Sequence, residues 1–161
     1  MTATAEATRI VTFRLGADLF AADILTVERV LRYETPRGIP NVPSWIEGVI
    51  EYHGDVVPVI DLRRRFELPE APLNGQTRML VLGRAGDWIA VIVDAVLDVR
   101  PIDERDIAPP PPLVRGLAGE YLRGVVRRDD VLVVVLDVEK LLSSTERLAL
   151  DAAAIAPAVD G

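Results

Sequence analysis

Two aspartates, Asp61 and Asp137, each end a valine-rich run, and they lie 76 positions apart in stretches that read as copies of one pattern. Carboxylates at equivalent strand ends could share one proton and run acid–base hydrolysis, because two like charges in one site cannot both ionise. That chemistry needs a small, glycine-containing turn after each acid, whereas Leu62-Arg63 and Val138-Glu139 follow here. The competing reading is that each aspartate accepts hydrogen bonds from the first amides of a helical turn, and Asp94, after Ala90-Val91-Ile92-Val93, reads the same way. His53 is the one imidazole in the chain, and there is no cysteine. A thiolate or multi-histidine metal site, a thiol nucleophile and a disulfide are therefore excluded, and any metal would rest on carboxylates alone. No serine has a nucleophile's setting, and neither GxGxxG nor GxxxxGK occurs. No catalytic residue, cofactor or metal ligand is expected, and His53 reads as a hairpin-tip residue.

The elements that carry these residues come in two sets. IEGVIEYHGDVVPVIDLRRRF, from Ile46 to Phe66, matches LRGVVRRDDVLVVVLDVEKLL, from Leu122 to Leu142, without a gap. The stretch from Arg9 to Val30 matches that from Arg78 to Val99 at an offset of 69, so the second unit has seven extra residues. They fall at the proline run Pro109 to Pro112, which lacks backbone donors and favours an extended connector. Self-similarity on this scale indicates two like modules, about 9–66 and 78–142, sharing one core.

Alternation predicts a hairpin of Ile10 to Leu15 with Leu19 to Ala22. A short helix should follow, with Asp23 as its cap and Ile24, Val27, Val30 and Leu31 on one face. Pro36, Pro40 and Pro43 then impose an extended segment. Gly48 to Tyr52 and Val56 to Ile60 should be strands around a His53-Gly54-Asp55 turn, with Pro58 on an edge or at a bulge because it cannot donate to a ladder. Arg63, Arg64 and Arg65 read as a solvated helix face, and Glu67 to Gln76 as a surface linker. The second unit repeats the scheme with strands at Met79 to Leu82, Trp88 to Val93, Ala95 to Val99, Leu122 to Val126 and Val131 to Leu136, and with an acidic turn at Asp103 to Asp106. Ser143 and Glu146 have capping-box spacing, which predicts a C-terminal helix ending near Ala154. A single domain over 9–154 is expected, with arms at 1–8 and 155–161 left disordered.

At 161 residues, half of them hydrophobic and many of them valine, the chain can bury one full-sized core and suits β-sheet. The net charge of -7 repels phosphate backbones and disfavours a nucleic-acid role. Trp45 and Trp88 stand apart from basic residues and read as buried or interface side chains. The N-terminus lacks a signal peptide's basic and apolar regions and no apolar run approaches a membrane span, so a cytoplasmic protein is expected. A small, mainly β double module with an acidic surface and an exposed edge describes a binding module better than an enzyme.

The order of VPSWIEGVIEYHGDVVPVIDLRRRFEL, then RMLVLGRAGDWIAVIVDAVLDVRPI, then GEYLRGVVRRDDVLVVVLDVEKLL resembles the CheW family of chemotaxis coupling proteins from about Arg9 to Leu142. The resemblance implies two five-stranded SH3-like β-barrels related by a pseudo-two-fold axis, with short helices and a C-terminal helix. It implies a non-catalytic adaptor that bridges the cytoplasmic hairpin tip of a chemoreceptor to the regulatory domain of a CheA-type histidine kinase at membrane-associated receptor arrays. By similarity, a receptor helix would lie in an apolar groove formed by Ile24, Val27, Val30 and Leu31 with Val96 and Val99 opposite, and the kinase would dock near Gly48 and Val56. The family's hairpin Arg is replaced by His53 and its helix Glu by Arg29, so a protonated His53 beside Arg29 would repel. An accessory regulator with this fold, binding only kinase or only receptor in a non-flagellar system, is the alternative. An acid-dyad hydrolase and a nucleic-acid-binding barrel are the readings from other classes.

Overall fold

Valine-rich runs separated by two-residue turns favour strands because branched side chains pack well on a pleated surface. The computed structural model describes residues 7–69, 72–84, 87–109 and 121–143. The first half contributes β1 (Ala7–Leu15), β2 (Asp18–Asp23), β3 (Val27–Arg32), β4 (Ile46–Tyr52), β5 (Asp55–Asp61) and the helical turn α1 (Leu62–Arg65). The second contributes β6 (Arg78–Arg84), β7 (Asp87–Val93), β8 (Ala95–Asp103), β9 (Leu122–Arg128) and β10 (Val131–Leu136), followed by helix at 138–143. β1 starts at Ala7, two residues inside the expected N-terminal arm. The expected C-terminal helix beyond Ser143 and most of the proline run lie outside the described residues.

The two halves exchange strands. One sheet has the order β8-β1-β2-β10-β9 and the other β3-β6-β7-β5-β4, so each takes members from both units. The orders map onto each other when β1, β2 and β3 are replaced by β6, β7 and β8, and β4 and β5 by β9 and β10, which is the internal repeat expressed as a pseudo-two-fold axis. Alternation along the inner strands then feeds two cores at once. Met79, Val81, Ala90 and Ile92 fill the interior of their own sheet, whereas Leu80, Leu82, Ile89 and Val91 enter a core shared with Phe13, Phe20 and Leu136 of the other sheet. Strands buried on both faces must read as continuous apolar runs, as these do.

Each sheet closes on itself through a backbone bridge. Arg37 exchanges both hydrogen bonds with Val49 of β4, at 2.9 and 2.8 Å, and Ala108 does the same with Val125 of β9, at 2.8 Å each. The Tyr52 hydroxyl also donates to Glu28 across the first seam at 3.2 Å. Closure requires glycine. A Cβ on Gly48 would lie 2.1 Å from the Arg37 carbonyl oxygen, and one on its equivalent Gly124 2.3 Å from that of Ala108. The hairpin tips match as well: His53 and Gly54, at φ 50 and 84, correspond to Asp129 and Asp130, at φ 48 and 67. Both residues at positive φ define the turn whose twist suits a two-residue hairpin.

Gly48→Ala should therefore destabilise the protein by about 2 kcal/mol or more, since the clash is with backbone and Gly48 sits at φ +147. Gly38→Ala, with nothing within 4 Å of the added carbon, should change the urea midpoint little. Equal midpoints for the two variants would contradict this account of closure.

Candidate partner-binding groove and edge

The helix expected after Asp23 is absent. Asp23 does cap a turn, accepting from the Leu25 amide at 2.9 Å, but that turn is a single 3-10 segment, Ile24–Thr26, and the chain continues as strand β3. The spacing that mimicked a helix comes from β-bulges. Val27 faces Leu82 and Arg29 faces Val81, so Glu28 is an extra residue, and Val27 and Val30 reach the same face although they are three apart. Leu97 is the extra residue at the equivalent place in β8, where Val96 faces Phe13 and Asp98 faces Thr12.

Register decides which candidates meet. Val27 and Val30 lie opposite Leu82 and Leu80, and Val96 and Val99 opposite Phe13 and Val11, so all four share the face of the common core. Val27 and Val96 pack against that core, while Val30 and Val99 remain 44 and 48 % exposed. β3 and β8 are the outer strands of their sheets, and the turn at Ile24–Thr26 touches β1 of one sheet and β6 of the other. Two apolar lips therefore flank the seam between the sheets, with half-buried Ile24 beside it. Leu31 does not join them: it lies opposite Met79 and packs into the interior of its own sheet. Leu25, 81 % exposed in the same turn, was missed because a helical reading turns attention to the residues at its favoured spacing.

Two arginines of α1 tie the sheets together across this seam. Arg63 is buried and pairs through Nη1 with Asp94 at 3.2 Å; the other Asp94 oxygen accepts the Gly16 amide at 2.5 Å, and the Asp94 amide donates to the Arg14 carbonyl at 2.9 Å. Asp94 is thus a junction residue between β7 and β8 rather than a helix cap. The Arg65 guanidinium lies 4.8 Å from the Trp45 ring centre and 4.5 Å from that of Tyr121, and donates to the Tyr121 hydroxyl. Trp45 and Tyr121 are equivalent positions of the two units, so one cation bridges the pseudo-axis. Of the Arg63-Arg64-Arg65 run only Arg64 is exposed, which corrects the expectation of a solvated face. Asp61 and Asp137 cap separate helical turns, accepting from Arg63 and Arg64 and from Lys140 respectively.

The second candidate surface is the β4–β5 hairpin. Val49 spends its N–H and C=O on Arg37, so its partner Pro58 loses no bond to β4. On the other side the β5–β7 ladder starts only at Val59, whereas in the equivalent β10–β2 pair it starts at Val133, two positions earlier in repeat register. The start of β5 is thus paired with β4 but not with β7, and Pro58 sits on an inner strand at the end of that ladder, not on the edge or at the bulge the sequence suggested; Val56 is 68 % exposed there. Gly48 is buried and serves closure. The His53 ring stacks on Tyr52 at 4.1 Å and meets Trp88 edge-on at 6.4 Å. Among the described residues no acidic or histidine cluster could hold a metal ion, and no helix is long and apolar enough to cross a membrane.

Between β1 and β8, the Thr12 hydroxyl donates to Asp98 at 2.6 Å and, with Arg100, lowers the Asp98 carboxyl below its ordinary value. A lowered folded-state value stabilises the protein above the unfolded carboxyl value and stops doing so as pH falls through the folded one. Thr12→Val should be destabilising at pH 7, and the part due to this bond should shrink below about pH 4, near the unperturbed carboxyl; urea unfolding at pH 7 and pH 3 measures it, and an undiminished difference contradicts it. Arg63→Met, which strands Asp94 in a buried site, should cost about 3 kcal/mol in the same measurement at pH 7; a change below about 0.5 kcal/mol would contradict the clamp.

Comparison with known proteins supplies the family. Residues 9–146 match the model of the CheW-like domain. The chain is 33 % identical over 145 residues to the chemotaxis protein CheW of Treponema pallidum, covering 88 % of this chain and 85 % of that one. It is 36 % identical over 141 residues to protein FrzA of Myxococcus xanthus, covering 86 and 87 % of the two chains. The crystal structure of the scaffolding protein TtCheW from Thermoanaerobacter tengcongensis superposes with a TM-score of 0.74 at 35 % identity, covering 80 % of this chain and 83 % of that one. The paired, exchanged five-stranded barrels and these matches together place the chain in the CheW-like domain family.

Proposed function

We propose that this protein is a signalling scaffold of a chemotaxis-type pathway, acting by binding alone in the cytoplasm at receptor arrays. It joins the cytoplasmic hairpin tip of a chemoreceptor to the regulatory domain of a CheA-type histidine kinase. The observation that carries this reading is the pair of matched apolar lips, Val27 and Val30 against Val96 and Val99, held at a fixed seam while a separate hairpin edge bears Val56. Two independent binding faces on one rigid body are what a coupler requires. A helix laid along the lips gains affinity from apolar area at about 25 cal/mol per Å2, before the cost of association. The start of β5, which has no ladder to β7, suits a second protein domain, because that side of the strand and Val56 are available together. Relatives bear the names chemotaxis protein CheW and protein FrzA, which supports an output of the chemotaxis type.

Separate faces give separable losses. Val30→Asp should weaken binding of the receptor hairpin at least about 10-fold while leaving the kinase domain's affinity intact, and Val56→Asp should do the reverse. Calorimetric titration of each variant against each partner checks this; loss of both affinities in either folded variant would contradict two independent faces.

A further inference from the structure

The groove face carries positive charge that the fold itself does not answer. Arg32 lies opposite Arg78 in the β3–β6 pair, two residues beyond Val30, so it shares the face on which Val30 stands. Arg9 lies opposite Pro101 in the β1–β8 pair, two residues from Val11 and Val99, and shares the matching face of the other sheet. Both arginines are exposed, and neither makes a hydrogen bond or ion pair among the described residues. Arg78 is engaged by the Gly75 and Thr77 carbonyls. Of the β8 carboxylates, Asp103, two residues from Pro101 on the same face, is held by Arg105, and Asp98 faces the other way and is held by Thr12 and Arg100. Each lip thus runs from apolar valines at the shared core to one unanswered guanidinium, on a chain whose net charge is -7.

We infer that the occupant of the groove is an amphipathic helix whose apolar stripe is flanked by carboxylates, and that Arg9 and Arg32 recognise them. The inference rests on the groove being the receptor-binding face and names the chemistry of the partner. Free guanidinium groups at the ends of an apolar strip select acidic residues by forked hydrogen bonds and repel basic helices of equal hydrophobicity. Because the chain carries a net charge of -7, these two positions supply local attraction for an acidic helix against that overall field.

The test uses the full chain and the receptor cytoplasmic hairpin from the same genome, titrated at 20 and 300 mM salt. The wild type should bind more weakly at high salt, and Arg9→Glu/Arg32→Glu should lose at least about 10-fold at low salt along with most of the salt dependence. The conservative pair Arg9→Lys/Arg32→Lys should restore much of the affinity. If Val30→Asp abolishes binding but the double Glu variant binds as well as the wild type, the groove stands and this inference falls. If Val30→Asp also binds normally, the groove reading itself fails and the inference fails with it.

Discussion

Neither half of this chain can bury its strands without the other. β1 and β2 find their neighbours β8 and β10 in the second unit, and β6 and β7 find β3 and β5 in the first, so every inner strand has a mate from across the repeat. The same strands are apolar on both faces, and the second face is satisfied only by the core in which Phe13 and Phe20 meet Leu80 and Leu82. Hydrophobic burial is non-directional, yet here topology gives it direction: separating the barrels would expose that core and break both sheets together.

A seam fixed in this way can serve as a binding surface. The outer strands β3 and β8 leave the common core at equivalent places, and their bulges at Glu28 and Leu97 set two valines of each strand on the outward continuation of that core. Directional contacts then set the angle. Arg63 reaches from one barrel to Asp94, which holds the Gly16 turn of the other, and Arg65 sits between Trp45 and Tyr121. These contacts come from α1, whose counterpart at 138–143 places Glu139 and Leu141 at the positions of Arg63 and Arg65. The two copies thus diverge where the first places its arginines.

The sequence carried the architecture well because a gapless repeat and period-two alternation both report local pairing. The hairpins and the helix-capping roles of Asp61 and Asp137 followed from residue types, whereas Pro58 read as an edge residue and lies on an inner strand. Strand exchange was not legible, since a strand's pattern says that it pairs but not with which copy. The helix expected after Asp23 failed for a definite reason: one bulge turns the spacing of a strand from two to three, which a single strand cannot distinguish from a helical face. Gly48 was singled out as a docking residue, but its demand is steric, set by a carbonyl from a segment eleven residues away. Arg63 and Asp94 likewise reveal their partnership only in three dimensions, because nothing in a charged run tells which member turns inward.

A coupler must hold both partners on one body at once. Sedimentation of the protein mixed with both the receptor hairpin and the kinase regulatory domain tests it directly. The account predicts one complex containing all three chains, with each partner's affinity equal or higher in the presence of the other. Mutual displacement, with only binary complexes at every ratio, would contradict it and leave a regulator that competes for a single surface.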